Sequence, residues 1–526
     1  MKKLFSKVAP KHSPPSKQSS EPQPNIISPP TPLDVIRYRF HHGTNLGSIF
    51  VLEKWLTPSM FPSSSPSGSE LSAVTTTLSA SGLAATREKW TQHWRGALSD
   101  DDLRWLVEEA HVTSIRLPIG YFTLGERFCH GTPFERVKEV YRDAWSEVRE
   151  LIRRAREYGI GVLLDLHALP GGANGDEHSG SGSGKAELWG HKGNLERAAE
   201  ACVFVAGEAR GMDGVVGIQI VNEACWGAKG MYDWYDEVIR RIAEVDSSMP
   251  VYISDAWDLD RCLKWVSGRK IFGNIPSNPV VVDTHQYYTF SEKDRSQSPQ
   301  EIIARIPGEL GQLNGKEGSL GSRGEAQVII GEWSCVLDGR TWGRVKPEEQ
   351  EGLTRQFGQS QSRKWQERAG GSYFWTMKMD WMDGGGWGFV EQTKKGNISP
   401  PPALTLPVQD VKNRAQAAQD RRGELAQAAR RSHDDYWTRT CPGKRFEHHL
   451  YSEGWDVGFS DALTFFTMRA NGALGVQAAA GGDRIGCLEI WVKKRLLECG
   501  QRGEFVWEWE QGFRSGVEAF YRSVEI

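Results

Sequence analysis

Long apolar runs are missing from this chain. No stretch approaches the ~20 consecutive apolar residues that span a bilayer, so no membrane span is expected. A charge excess is missing as well: 64 Lys and Arg against 67 Asp and Glu leave a formal net charge of −3 over 526 residues. That balance gives no electrostatic footprint for nucleic acid or an anionic membrane surface. The eight cysteines, at 129, 202, 225, 262, 335, 441, 487 and 499, are scattered and form no C-x-x-C pair. Such spacing excludes a disulfide framework and reads as reduced thiols of an intracellular protein. The N-terminus, MKKLFSKVAPKHSPPSKQSSEPQPN, lacks an apolar segment of secretory length. The expected location is therefore cytoplasmic, with a mitochondrial address on the basic N-terminus as the weaker alternative. No phosphate loop is present: in His178–Lys185 (HSGSGSGK), Ser179 replaces the first required Gly and Ala186 follows the Lys. That stretch reads as a mobile Gly/Ser loop over a cleft. His41-His42 has no spaced carboxylate partner, and neither a metal nor a cofactor is expected. Nothing in the sequence bears on the oligomeric state.

Tryptophan is abundant, with 21 residues. Such a surplus fills a large core or lines clefts for sugars and peptides by stacking. Residues 1–33 are Pro/Ser/Lys-rich without apolar periodicity and are expected to be disordered, with order beginning near Tyr38. Eight short apolar runs follow: Phe40–Gly47, Ser114–Ile119, Gly161–His167, Val215–Glu223, Val251–Asp255, Val280–Tyr287, Gln327–Trp333 and Ser372–Thr376. Helical patterns alternate with them, at Ser99–Ala110, Glu135–Tyr158, Leu195–Arg210, Tyr232–Val245, Leu259–Val266, Pro299–Leu313 and Glu348–Arg368. Eight such units predict an α/β (β/α)8 barrel over residues 34–396. A doubly wound sheet would also alternate, but no G-x-G-x-x-G follows the first strand. Ser59–Trp90 and Leu169–Asn194 read as long segments on the catalytic face. Residues 397–407 (NISPPPALTLP) read as a linker, and 408–526 as a mostly helical subdomain packed on the barrel. That subdomain carries a weak repeat: Trp455, Gly458, Phe459 and Phe466 correspond to Trp509, Gly512, Phe513 and Phe520. Its aromatics are expected to pack two similar helices.

The strand ends carry the chemistry. Arg116 interrupts an apolar strand, Asp165 and His167 close the third, and Asn222-Glu223 close the fourth. Asp283, His285 and Tyr287 lie on the sixth, Glu332 on the seventh and Trp375 on the eighth. In a barrel these ends share one face, where active sites are built. Two carboxyls amid Asn, His, Tyr, Arg and Trp suit glycosidic cleavage: one donates a proton to the leaving oxygen, the other attacks as carboxylate. Like charges a few ångströms apart push one pKa up, so a single pair can fill both roles. Arg116 and Tyr287 are expected to hold Glu332, Asn222 the sugar 2-OH, and Trp375 the sugar's floor.

These residues sit in motifs that resemble glycoside hydrolase family 5 of clan A. The motifs are Gly43–Ser48, Leu52–Pro58, Ile115–Tyr121, Leu164–His167, Asn222-Glu223, His285–Tyr287, Gly331–Trp333 and Phe374–Thr376. Within that family the likeness is to fungal exo-β-1,3-glucanases and their intracellular relatives, over residues 38–392. The resemblance implies Glu223 as acid/base and Glu332 as nucleophile, supported by Arg116, His167, Asn222, His285, Tyr287 and Trp375. It also implies double displacement with retention. The expected carboxyl separation is then about 5–5.5 Å. Lys185–Trp189 and Lys378–Phe389 depart from the secreted enzymes, so the subsite walls differ. Trp189, Trp226, Trp257, Trp381 and Trp387 are the candidate sugar platforms there, while Trp55, Trp105 and Trp145 are expected in the core. The leading expectation is a retaining β-glucosidase or exo-β-1,3-glucanase acting on a carbohydrate or glycoconjugate. The alternatives are an intracellular glycosidase of glucosylated lipids, such as steryl glucosides or glucosylceramide, and a non-catalytic carbohydrate-binding barrel.

Overall fold

A computed structural model describes residues 27–269, 277–316, 318–320, 324–500 and 503–526. Residues 1–26 of the expected N-terminal tail lie outside the described residues. Eight parallel strands close into a barrel in chain order. They are β1 His41–Asn45, β2 Ser114–Gly120, β3 Gly161–Ala168, β4 Val215–Gln219, β5 Val251–Ser254, β6 Val280–Tyr288, β7 Gln327–Leu337 and β8 Gly371–Phe374. All eight expected strands are present. Runs such as Val280-Val281-Val282 and Val328-Ile329-Ile330 are buried, as strands covered on both faces must be. One boundary matters for the site. β4 stops at Gln219, so Asn222 and Glu223 stand in the turn beyond the strand.

The helices show where periodicity misleads. Glu135–Tyr158 is two elements, a 3-10 helix Pro133–Tyr141 and an α-helix Ala144–Glu157. The helix expected over Pro299–Leu313 ends at Arg305. Pro307 lacks the N–H that an α-helix would need there, and the chain continues as a 3-10 turn, Ile306–Gly308. Ser59–Trp90, expected as a loop, contains most of a long helix, Glu70–Gly96, broken where Gly82 adopts φ 72°. Its Ser, Thr, Ala and Gly residues give almost no apolar stripe to read. Order also begins before Tyr38: Thr31 caps a helix over Pro32–Tyr38, and Val35 and Ile36 are fully buried.

The C-terminal helices seal the N-terminal end of the barrel. They are Val408–Asp420, Arg422–Thr440, His448–Met468, Leu488–Cys499 and Val506–Ser523. One apolar core joins Leu163, Val216, Tyr252, Ile329 and Tyr373 of the strands to Trp455, Phe459 and Trp491 of the helices. Polar ties reinforce it. Phe40 N donates to Arg484 O at 2.9 Å, and the buried Lys493 Nζ meets Glu325 Oε1 at 2.7 Å. Residues 397–407 are packed as well, with Ile398, Ala403 and Leu404 buried. The repeat forms a backbone-to-backbone helix crossing. A Cβ on Gly458 would meet Phe513 O at 2.1 Å, and one on Gly512 would meet Tyr451 O at 1.9 Å. Only glycine permits that approach. Trp455 stacks on Phe459 and Trp509 on Phe513, with centroids 5.1 and 5.4 Å apart. These aromatics are packing residues. His448 reaches the buried Glu508, with Nδ1 3.1 Å from Oε2.

Candidate active site

A cavity of about 670 Å³ opens at the C-terminal end of the strands. Glu223, Glu332, His167, Tyr287 and Trp375 face it. Arg116, Asn222 and His285 stand behind them, buried. Arg116, in the middle of β2, is fully enclosed and surrounded by acceptors. Its Nη1 donates to Asn45 Oδ1 at 2.8 Å and Glu332 Oε1 at 3.0 Å, and its Nε to Gln219 Oε1 at 2.9 Å. Its Nη2 donates to Asn222 Oδ1 at 2.6 Å and lies 3.1 Å from Asp165 Oδ2. One guanidinium thus ties β1, β2, β3, β4 and β7 together and still pairs with Glu332. Such a buried cation is tolerable only because every donor is met.

Glu332 also accepts a 2.8 Å hydrogen bond from Tyr287 Oη. Glu223 is held differently. Its backbone adopts φ 42°, in the left-handed region, and its carbonyl accepts from Asn174 Nδ2 at 3.0 Å. A non-glycine residue there carries strain that the surroundings must offset. His285 Nδ1 lies between the carboxylates, 2.8 Å from Glu223 Oε1 and 3.4 Å from Glu332 Oε2. Its Nε2 lies 3.1 Å from Asp283 Oδ2. One oxygen from each glutamate and a His285 nitrogen fall within 4.8 Å of one another. His167 Nδ1 meets Asp165 Oδ2 at 2.7 Å, and its ring stacks on Trp375 at 5.8 Å. Asn222 Nδ2 lies 3.5 Å from His167 Nε2.

The charges divide unevenly. Burial and the neighbouring Glu223 charge push Glu332 up to about 6, against the pull of His285, Arg116 and Tyr287. Burial also works to raise Glu223, but hydrogen bonds and charge from His178 and His285 hold it well below the usual carboxylate range. His285, although buried, is raised well above its ordinary value by Glu332, Asp283 and Glu223. These directions favour the proton on the imidazole, one hydrogen bond from Glu223.

Several contributors went unnamed in the sequence. Glu53, Asp176, His178 and Phe290 line the cavity. Glu53 lies inside the Leu52–Pro58 motif, which is the one signal that pointed to it. Trp55, expected in the core, is 40% exposed and lines the cavity with Trp257 and Trp387. The Gly/Ser stretch is not a free flap. It begins with a turn, Glu177–Ser179, that places His178 in the cleft. The other three tryptophan platforms lie elsewhere. Trp189 packs against Trp234 and donates to Ala173 O, Trp226 is 74% exposed away from the cavity lining, and Trp381 donates to Trp55 O at the rim. His41 and His42 are buried in β1, bonded near Ser114 and Ala110, and take no part in the cleft.

Residues 74–361 match the cellulase (glycosyl hydrolase family 5) model, and residues 418–524 match that of the glucan 1,3-beta-glucosidase 3 C-terminal domain. Glucan 1,3-beta-glucosidase 3 of Schizosaccharomyces pombe is 32% identical over 485 residues, covering 92% of this chain and 95% of that protein. An uncharacterized glycosyl hydrolase of Saccharomyces cerevisiae is 30% identical over 500 residues, covering 92% of each. The crystal structure of a rutinosidase from Aspergillus niger shares the fold, with a TM-score of 0.52 at 16% identity over 70% of this chain and 99% of that one. The chain belongs to glycosyl hydrolase family 5.

Proposed function

We propose that this chain is a retaining β-glucosidase of the exo-β-1,3-glucanase type, with Glu332 as nucleophile and Glu223 as acid/base. The observation that carries this reading is the pair of carboxylates, Glu223 and Glu332, that line one cavity with an oxygen of each and a His285 nitrogen within 4.8 Å of one another. Inverting enzymes hold their carboxyls roughly 6.5–9.5 Å apart, to leave room for a water. Glu332 attacks the anomeric carbon while the glycosidic oxygen leaves with a proton from Glu223. Water then gives a proton to Glu223 and its oxygen to the anomeric carbon, releasing Glu332. Arg116 and Tyr287 keep Glu332 charged and aimed. The proton stored on His285 Nδ1 reaches Glu223 Oε1 along a 2.8 Å contact. His285 Nε2 then donates to Asp283, which keeps the neutral ring oriented. Trp375, stacked behind on His167, is placed as the floor for the sugar. The names of the relatives support a β-1,3-glucan or glucoside substrate. The eight cysteines, held as thiols, support a reducing, cytoplasmic setting.

Incubation with a 2-deoxy-2-fluoro-β-glucoside bearing a good leaving group tests the assignment. The expected result is one covalent adduct on the peptide containing Glu332. An adduct confined to another residue overturns it. A second reading, a glucoside with an apolar aglycone such as a glucosylated lipid, is favoured by the aromatic rim. Trp55, Phe290 and Trp387 form a continuous surface, with Trp387 5.6 and 6.2 Å from the other two rings. Turnover of laminaribiose alone, with none of steryl glucoside or glucosylceramide, rejects that reading.

A further inference from the structure

Glu223 is faced by two imidazoles, and the reaction as written uses one. His285 occupies the Oε1 side at 2.8 Å. His178 stands on the other side, with Nε2 3.7 Å from Glu223 Oε2 and Nδ1 3.9 Å from Glu53 Oε2. The His178 Nε2 atom is buried and lacks a hydrogen-bond partner among the described residues. Its ring is 5.0 Å from that of His167. An imidazolium carries a donor on each nitrogen, and here each nitrogen lies within ion-pair distance of one carboxylate. Charge agrees with this geometry. Burial opposes the cation, but Glu223, Glu53 and Asp176 outweigh it and push His178 up to about 9.

The turn that presents His178 is fixed on three sides. Glu177 Oε1 accepts from Gly68 N at 2.7 Å, and Ser179 Oγ donates to Asp176 O at 2.7 Å. Asn174 links the same loop to Glu223 O, and Ala173 O accepts from Cys225 N at 3.1 Å. The loop after β3 is thus bolted to the turn after β4 that carries Glu223. The backbone that carries His178 is therefore a fixed feature of the cleft.

We propose that His178 is a positioning residue for the acid/base. It holds the Oε2 side of Glu223 by charge and links it through Glu53 to the loop after β1. This rests on the reading of Glu223 as the proton donor. It assigns work to a loop whose composition alone reads as filler, and it makes the Glu53–His178–Glu223 line a determinant of leaving-group chemistry.

Leaving groups separate a positioning role from a packing or sugar-binding one. A 2,4-dinitrophenyl β-glucoside departs without protonation, whereas a phenyl or alkyl β-glucoside needs it. His178→Ala should lower kcat/KM on the phenyl substrate by about 10-fold or more, a fraction of the 10²–10⁴ that a proton donor supplies. For the dinitrophenyl substrate kcat/KM, which reports only formation of the glycosyl-enzyme, should change by less than about threefold, because that step bypasses the proton donor. Loss of the cation lets the Glu223 proton affinity rise, so the alkaline limb should move to higher pH. His178→Asn, which keeps a donor without the charge, should restore part of the kcat/KM but not the limb. Equal losses on both substrates, no loss on either, or an unmoved alkaline limb overturns the proposal. Glu223→Ala is the control. If it too shows no leaving-group dependence, the acid/base assignment fails, independently of His178. A melting curve of each variant separates misfolding from these outcomes.

Discussion

At the starts of the strands, Leu163, Val216, Tyr252 and Ile329 meet Trp455, Phe459 and Trp491 in an apolar core with helix backbones in contact. At the other end of the same barrel, Glu223, Tyr287 and Glu332 line a cavity of about 670 Å³, with Arg116 and His285 buried behind them. The buried charges at the first end are paired with one another, Lys493 with Glu325 and Arg469 with Asp483. The second holds buried charges, a strained Glu223 and exposed tryptophans, all of which cost stability. The comparison shows a division of labour along each strand. A sealed, densely packed base lets the mouth keep groups that folding alone would discard.

Substitutions at the two ends should therefore fail in different ways. The largest effect is expected at the mouth. Glu332→Gln and Glu223→Ala should each lose at least ~10²–10⁴ in kcat on a phenyl β-glucoside, with the melting temperature unchanged or raised. A loss of stability matching the loss of activity would erase the contrast between the ends. At the base, Gly512→Leu puts a side chain where a Cβ already sits 1.9 Å from Tyr451 O. Overpacking of this kind costs about 1–3 kcal/mol or more, read as a lower melting temperature or lost soluble protein. Specific activity per folded molecule should stay near the starting value; a selective fall in kcat would show that the base takes part in the chemistry.

A smaller effect is a pH shift. As the proposed nucleophile, Glu332, pushed up to about 6, must be ionised to attack. Its charged form is lost as pH falls through that value, so kcat/KM should drop below about pH 6. Tyr287→Phe removes a donor to the carboxylate, which favours its protonated form, so this acidic limb should move to higher pH. A limb that stays in place or moves down contradicts the sign. The smallest effect is at the rim. Trp387→Ala should raise KM by a few-fold, since one aromatic contact is worth about 0.5–1.5 kcal/mol, while kcat changes little. An unchanged KM would remove Trp387 from the binding surface.

Much of this was legible in the sequence, for identifiable reasons. The eight strands were readable because strands buried on both faces are apolar throughout. Arg116, His167, His285 and Glu332 stood out because a polar group in or at the end of such a run is costly to bury unless it faces a partner or a cavity. Glu53 and His178 did not, since each reaches the cleft through a loop whose path no periodicity encodes. Trp55 was misplaced for the same reason, and Trp189, Trp226 and Trp381 were offered as platforms when only Trp257 and Trp387 line the cavity. Gly/Ser composition concealed the fixed turn at Glu177–Ser179, and the Ser/Thr/Ala run of Glu70–Gly96 concealed a helix. The resting proton distribution was not legible either. Like-charge repulsion alone raises one of two carboxyls, but which one depends on where the two imidazoles sit, and both face Glu223.

The central claim is that Glu332 and Glu223 act together as a retaining pair. Proton NMR of the sugar first released from an aryl β-glucoside, recorded before mutarotation, tests it most directly. The account predicts the β-anomer as the first product, followed by slow appearance of α. The α-anomer appearing first would mean inversion and would contradict it.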